Sequence, residues 1–223
     1  MTYDIQYLTK SMVQTYSRCP RLFKYLYIDG LKVEDSIQAQ LGKIFHEAAQ
    51  YFLEPIRKGE VNHIDCGIEQ VNQWLDNFIL FENSSPNDML TPLATEVELS
   101  INEPFPLKGI IDRIDLYPTG YVRILEYKTS QKITLTDWRR ELHFYKILYE
   151  NSEDFYEYPV KTLAVYNPRL NIYFEEQPNK KSESALINKI YQIFSDKTFK
   201  MKKSVEDVCA GMCEFYDLCV RGV

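Results

Sequence analysis

Residues 107–129 read LKGIIDRIDLYPTGYVRILEYKT, and the rest of the chain is organised around this stretch. Two alternating runs rich in β-branched residues flank the Pro-Thr-Gly segment at 118–120. This pattern is typical of a β-hairpin whose glycine takes the left-handed position of the turn. Counting back along both arms from that turn predicts that Asp112 lies directly opposite Glu126.

Strand alternation then separates the charged residues of the hairpin onto two faces. Asp112, Glu126 and Lys128 share one face with apolar neighbours, whereas Asp115 falls on the other face. There it is expected to lie opposite Arg123 and to form a cross-strand ion pair with it. The sequence therefore predicts two carboxylates and a lysine converging on an otherwise apolar surface.

That convergence is unfavourable unless something compensates the two carboxylates. Like charges directly opposite each other destabilise a sheet, and a half-buried carboxylate pair does not readily ionise twice. Asp112, Glu126 and the backbone carbonyl of Tyr127 are hard oxygen donors of the kind that Mg²⁺ and Mn²⁺ prefer. The alternative is a solvated ladder in which Lys128 pairs with either carboxylate in water.

Composition sets wide limits on function. The 223 residues are 45% hydrophobic and 26% charged, ordinary values for one domain with an elaboration. A net charge of −6 argues against a generic nucleic-acid coat, although it does not exclude a local basic patch. The first ten residues lack the features of a secretory signal, and no window approaches the roughly 20 apolar residues of a membrane span. We therefore expect a cytoplasmic protein with no membrane contact.

Periodicity and breakers predict the remaining elements. The Cys19-Pro20 pair interrupts an otherwise continuous helix within residues 11–30, which Ser11 is expected to cap. Further helices are expected at 36–57, 62–83, 136–150 and 184–194, and strands at 94–102, 160–167 and 170–175.

This order of elements favours a single α/β domain in which helices flank a central mixed sheet. Residues 36–194 would form its catalytic core. Residues 1–35 and about 195–223 would form a patch held together by metal.

The metal is suggested by the cysteines. Cys209, Cys213 and Cys219 lie in the tail VCAGMCEFYDLCV, and three thiols so spaced require a fourth ligand to complete a metal site. Cys19 suits that role better than Cys66 because of its proline, basic and aromatic neighbours. A four-cysteine zinc site and reduced cysteines without metal remain alternatives.

Taken in order, six short motifs resemble the RecB-type PD-(D/E)XK nucleases. Within that superfamily they are most similar to the branch with an iron-sulfur cluster, which includes the CRISPR-associated RecB-like exonucleases (Cas protein four type) and the AddB nuclease domain. The motifs are YSRCPRLFKY at 16–25, GKIFHE at 42–47, GIID at 109–112, EYK at 126–128, ELHFY at 141–145 and the cysteine tail.

The resemblance implies a restriction-endonuclease-like core and a role for each matching residue. Lys128, Glu126, Asp112 and Tyr145 would be catalytic. The ligands of Mg²⁺ or Mn²⁺ would be His46, Asp112, Glu126 and the Tyr127 carbonyl. Cys19, Cys209, Cys213 and Cys219 would hold a 4Fe-4S cluster, with zinc as the alternative. DNA contacts are assigned to Tyr16, Arg18, Arg21, Lys24, Arg139 and Arg140.

The implied function is metal-dependent hydrolysis of DNA, as an exonuclease acting on single strands or ends in CRISPR adaptation or in DNA repair and recombination. The alternative is a weakly active or inactive module that holds DNA ends within a larger integrase or helicase complex. A third reading is a structural zinc protein. Two departures from the family pattern bear on this choice: Glu141 stands where the family has glutamine, and the tail reads C-x3-C rather than C-x2-C.

Overall fold

The computed structural model describes residues 5–84, 87, 89–132, 134–153, 157–201 and 213–221. Within them one sheet has five strands in the order β1-β2-β3-β4-β5. Only the β3–β4 pair is parallel, so the sheet is mixed, as predicted. The strands are β1 Thr91–Ile101, β2 Leu107–Leu116, β3 Val122–Tyr127, β4 Val160–Asn167 and β5 Ile172–Glu176.

Seven α-helices lie in the described ranges, together with one π-helical turn at Lys24–Ile28. The helices are α1 Lys10–Arg18, α2 Pro20–Phe23, α3 Ile37–Arg57, α4 Glu69–Glu82, α5 Leu135–Glu150, α6 Lys180–Ser195 and α7 Tyr216–Arg221.

The central hairpin is confirmed together with its register. β2 and β3 are antiparallel and pair Arg113 with Leu125. Gly120 takes a φ of 77°, the left-handed conformation that the turn requires and that glycine adopts without a steric penalty. One residue beyond the paired positions, the same register brings Asp112 opposite Glu126.

Helix α3 begins and packs as its sequence predicts. The side chain of Ser36 accepts a hydrogen bond from the amide of Ala39, which satisfies one of the free N–H groups of the first turn. Phe45, Ala49 and Leu53 recur every fourth residue and are buried against α4 and one face of β3 and β4. Burying a side chain the size of Phe45 contributes roughly 1.5–3 kcal/mol. This packing fixes the helix that carries His46.

Some element boundaries differ from the expectation. The interruption at Cys19 is confirmed, because its extended backbone separates α1 from α2. The cap of α1 is Thr9 rather than Ser11, since the Thr9 hydroxyl accepts the Met12 amide. Helix α4 begins at Glu69, seven residues later than predicted from Asn62.

The chain forms two compact units: Met1–Glu34 with Ser184–Val223, and Asp35–Glu183. In the first, Phe23 stacks on Phe199 with ring centroids 5.7 Å apart. The second contains the whole sheet and helices α3 to α5. None of the helices in the described ranges is both long enough and apolar enough to cross a membrane.

Candidate metal centre

Asp112 lies at the centre of the site, and its two oxygens face different groups. It is buried in β2, and its Oδ2 accepts a hydrogen bond from the Tyr127 amide at 2.7 Å. Its Oδ1 lies 3.6 Å from Nδ1 of His46. The backbone of β3 therefore holds one oxygen and so orients the other toward the histidine.

His46 reaches the carboxylates because α3 runs close to the chain that follows β3. A Cβ atom added to Gly42 would lie 3.0 Å from Oγ1 of Thr129. This contact is tight, which explains why the GKIFHE motif begins with a glycine. Burial alone would lower the pKa of His46. The neighbouring carboxylates, Asp112 foremost, outweigh that effect and raise the pKa above its ordinary value.

Glu96 is a further carboxylate in the same cluster. It belongs to β1, and its Oε1 lies 3.6 Å from Nδ1 of His46. One ligand atom each from His46, Glu96 and Asp112 falls within 4.8 Å of the others. Glu96 also has a φ of 49°, a left-handed conformation that is uncommon for a residue with a side chain.

Lys128 lies between two carboxylates, those of Glu126 and Glu141. Its Nζ is 2.8 Å from Oε1 of Glu126 and 2.5 Å from Oε2 of Glu141. Glu126 and Glu141 are buried, whereas Lys128 remains partly exposed. Glu141 therefore has a definite partner within the site, which its burial on α5 requires.

Tyr145 lies one helical turn beyond Glu141 on α5 and is buried. Burial raises the pKa of its phenol first, and the negative charges of Glu126 and Asp112 raise it further. The hydroxyl is protonated at neutral pH, as an ordinary phenol is, and it can donate a hydrogen bond to a neighbouring group.

A second charged cluster lies on the opposite side of the same strands. Arg113 Nη1 is 2.6 Å from Glu82 Oε1, and Arg113 Nε is 2.6 Å from Asp115 Oδ1. Arg123 Nη2 completes the cluster at 2.8 Å from Asp115 Oδ2, which confirms the predicted cross-strand ion pair. These four side chains are fully buried.

The donors around Asp112 fit a hard divalent cation. Carboxylate oxygens with one imidazole nitrogen suit Mg²⁺ or Mn²⁺, whereas the site contains no thiolate of the kind that softer metals select. The structure thus brings together His46, Asp112, Glu126 and Lys128, four of the residues that the motifs select.

Cys19, Cys213 and Cys219 lie in the first unit, whereas Cys66 lies in the second. Burial raises the pKa of the Cys219 thiol, and the neighbouring thiols of Cys19 and Cys213 raise it further. Sγ of Cys219 also lies 2.9 Å from Sδ of Met201. Cys209 lies outside the described residues, so the four-cysteine cluster stays a prediction.

The predicted DNA-binding residues of the first unit differ in exposure. Tyr16 is buried, and its hydroxyl donates to Asp196 Oδ2 at 2.7 Å, so no face of its ring is open for a base to stack on. Arg18 is exposed, Arg21 Nε donates to the Phe199 carbonyl at 3.1 Å, and Lys24 pairs with Asp29 at 2.6 Å. The DNA contacts of Arg18, Arg21 and Lys24 stay a prediction, whereas the burial of Tyr16 excludes base stacking on its ring.

Arg139 and Arg140 lie in the second unit, in the first half of α5. Arg139 Nη2 is 2.8 Å from Glu176 Oε2, and Arg140 Nη1 is 3.1 Å from Asp137 Oδ1. Both guanidinium groups are partly exposed, so each retains donors that face water.

The motifs do not include Glu96, and the sequence carried one signal that could have found it. Ile101 pairs with Leu107, so β1 and β2 are joined by the five residues 102–106. Counting back from that connection places Glu96 opposite Asp112. The two prolines in the connection concealed its hairpin register, because they mark a break without specifying which residues pair.

A family model and a solved structure are similar to this chain. A family model described as PD-(D/E)XK nuclease superfamily matches residues 7–220. One similar solved structure, described as "Crystal structure of SSO0001", is 19% identical at a TM-score of 0.42, over 85% of this chain and 76% of that chain. The search of curated proteins found no match. The chain belongs to the PD-(D/E)XK nuclease superfamily, which implies metal-dependent nuclease activity.

Proposed function

We propose that this protein is a metal-dependent exonuclease that acts on single-stranded DNA or DNA ends. The observation that carries the proposal is the arrangement of Asp112 and Glu126, opposite each other on β2 and β3 with a histidine and a lysine beside them. His46 lies 3.6 Å from Asp112, and Lys128 lies 2.8 Å from Glu126. The superfamily assignment supports cleavage of a phosphodiester at this position.

The cation would be held by His46, Asp112, Glu126 and the Tyr127 carbonyl. When bound, Mg²⁺ or Mn²⁺ supplies Lewis-acid polarisation of a phosphate oxygen and a more acidic water. The protein's own contribution begins with Asp112, which the Tyr127 amide holds in one orientation. Pre-positioned ligands reduce the reorganisation that the reaction would otherwise require.

Lys128 and Tyr145 would act on the substrate rather than on the cation. The ammonium group of Lys128 is partly exposed beside Glu126, so it can approach a phosphate and stabilise the charge that develops there. The phenol of Tyr145 is protonated at neutral pH, and it can therefore donate a hydrogen bond to the phosphate or help to orient the lysine. Glu141 also pairs with Lys128, at 2.5 Å.

A direct test is the variant Lys128→Ala in an assay with end-labelled single-stranded DNA and Mn²⁺. We expect cleavage to fall by about 100-fold or more, because one preorganised charge at the phosphate is lost. Lys108→Ala is the matched control, since Lys108 lies on β2 but pairs with Glu98 at the surface. Full cleavage by Lys128→Ala would contradict the proposed role.

We also propose that Cys19, Cys209, Cys213 and Cys219 bind a 4Fe-4S cluster. The shared influence of Cys19 and Cys213 on the Cys219 thiol supports this grouping. Purified protein should absorb at roughly 400 nm, as expected for thiolate-bound iron-sulfur centres. Iron and sulfide should be present in equal amounts, whereas zinc without iron would establish the alternative site.

The finer biological assignments rest on the motif resemblance. They are a single nuclease domain over residues 1–223, a cytoplasmic location, and a task in CRISPR adaptation or in DNA repair and recombination with an integrase or helicase as partner. Cleavage is proposed to run from 5′ to 3′. Substrates labelled or blocked at one end would test this polarity, because only a free 5′ end should then be shortened.

One observation favours the alternative of a DNA-end-binding module with little activity. Glu141 replaces the family glutamine and pairs with Lys128 at 2.5 Å, a contact that could keep the lysine away from a phosphate. Glu141→Gln separates the two functions. Cleavage that rises by more than about tenfold, roughly 1.4 kcal/mol of transition-state stabilisation, would favour the alternative, and a smaller change would favour the active nuclease.

A further inference from the structure

We infer that Glu96 is a further ligand of the divalent cation, in addition to the residues that the nuclease motifs provide. The inference rests on the proposed function and deepens it, because it adds a third strand to the metal centre. The motif residues come from α3, β2 and β3, whereas Glu96 comes from β1.

The pairing of β1 with β2 explains why Glu96 points into the site. Thr95 pairs with Arg113 and Val97 pairs with Ile111, so Glu96 falls opposite Asp112 between them. Residues opposite each other in an antiparallel pair project from the same face. Three carboxylates thus lie in a row across three neighbouring strands: Glu96, Asp112 and Glu126.

The distances within the cluster are close to those between ligands of a small cation. Nδ1 of His46 is 3.6 Å from Glu96 Oε1 and 3.6 Å from Asp112 Oδ1, too long for direct hydrogen bonds. In an octahedral Mg²⁺ site, adjacent ligand atoms are separated by about 3.0 Å. Side-chain movements of about 0.6 Å would therefore bring these donors to adjacent positions around one cation.

Exposure separates Glu96 from an ordinary surface carboxylate on the same strand. Glu98 is 59% exposed and pairs with Lys108 at 2.5 Å. Glu96 is only 28% exposed, and in its contact with His46 it meets an imidazole that is also 28% exposed. The Glu96 carboxylate is therefore partly withdrawn from water into a cluster rich in negative charge, which is costly unless a cation is present.

The backbone at Glu96 is consistent with this role. A left-handed residue with a side chain is strained and persists only where its surroundings hold it. The φ of 49° at Glu96 falls inside β1, between two residues that pair regularly with β2. The conformation thus directs one carboxylate without disturbing the neighbouring register.

Mn²⁺ binding to Glu96→Gln, measured by calorimetry in the absence of DNA, tests the inference. We expect the affinity to fall by about tenfold or more relative to wild type, because a ligand is lost at constant size. Glu98→Gln is the matched control and should bind Mn²⁺ as wild type does. Cleavage by Glu96→Gln should be weak at low Mn²⁺ and should recover as Mn²⁺ is raised, which a merely structural role would not produce.

Glu96→Asp provides a second measurement that does not depend on the glutamine variant folding. It keeps the charge but withdraws the oxygen by one methylene, so a coordinating role predicts weakened Mn²⁺ binding. Unchanged affinity in both variants, in a wild type that binds Mn²⁺ and cleaves DNA, would overturn the inference alone. A wild type that neither binds Mn²⁺ nor cleaves DNA would overturn the proposed nuclease as well.

Discussion

Two clusters of charged side chains arise from alternate residues of the same strands, and they differ in charge balance and in access to water. The first contains Glu82, Arg113, Asp115 and Arg123, two acids and two bases that are fully buried. The second contains the carboxylates of Glu96, Asp112, Glu126 and Glu141 against one lysine and one histidine. It is partly open, because His46, Glu96 and Lys128 retain exposed surface.

The difference distinguishes a structural network from a binding site. A buried ion pair is tolerated when its charges are matched, and Arg113 donates hydrogen bonds from Nε to Asp115 and from Nη1 to Glu82. A surplus of carboxylates in a partly buried site is unfavourable by itself, so it indicates a place where a cation completes the balance. The same two strands therefore stabilise the fold on one face and carry chemistry on the other.

The largest expected effect is that of Asp112→Asn on catalysis. Cleavage should fall by about 1000-fold, equivalent to roughly 4 kcal/mol, because the central ligand loses its charge. The free energy of unfolding without metal should change by less than about 1 kcal/mol, since asparagine keeps an acceptor for the Tyr127 amide and removes a like charge. Cleavage rates and urea unfolding in EDTA measure both. A large loss of stability with unchanged cleavage would contradict the distinction between the structural network and the metal site.

The next effect, of similar size in free energy, concerns the fully buried network of Glu82, Arg113, Asp115 and Arg123. Arg113→Met should lower the free energy of unfolding by about 3–5 kcal/mol, because two buried ion pairs are broken and Glu82 and Asp115 retain only Arg57 and Arg123 as partners. Lys108→Met removes an exposed ion pair and should cost at most about 1 kcal/mol. Urea unfolding compares the two variants. Equal losses would show that the buried network is no more important to stability than a surface pair.

The smallest effect is a pH dependence of the folding stability, and it is confined to the second, partly open cluster around His46. The pKa of His46 is raised in the fold, because the carboxylates outweigh the opposing effect of burial. Folding therefore favours the protonated form, and His46 contributes its full stability below an unfolded pKa of about 6.5 and loses it as pH rises through the folded value. In EDTA, the stability difference between wild type and His46→Gln should shrink as pH rises above about 6.5.

The fully buried network provides the control for that measurement of stability against pH. Burial alone would lower the pKa of Arg113 and of Arg123, but neighbouring groups, among them Asp115, raise both. The two arginines therefore stay charged throughout this range, so their charge adds no pH dependence to the stability of the wild type. A pH-independent His46→Gln difference would instead show that the histidine does not respond to its carboxylates.

Much of this architecture was predictable because it depends on local rules. The hairpin register followed from one turn and from strict alternation, and it placed Asp112 opposite Glu126 and Asp115 opposite Arg123 as expected. The start of α3 followed from the capping residue Ser36. Such features depend on neighbouring residues, so a single sequence carries them.

The parts that could not be predicted depend on residues far apart in the chain. Glu82 belongs to α4, yet it neutralises Arg113 on β2, and no local pattern links the two. Tyr16 has the composition of a nucleic-acid contact, but packing places its ring in the interior with its hydroxyl on Asp196. Both outcomes follow from how helices settle against other elements, which periodicity alone does not specify.

By itself, the sequence determined the hairpin and the order of the elements. It also determined that Asp112, Glu126 and Lys128 converge as one set on the same face. The motif resemblance added His46 to that set, and only the tertiary structure decided that Glu96 joins it and that Glu141 pairs with Lys128. The physical reason is that alternation fixes which face of a strand a residue occupies, whereas the pairing of β1 and the approach of α3 and α5 fix which distant groups meet it.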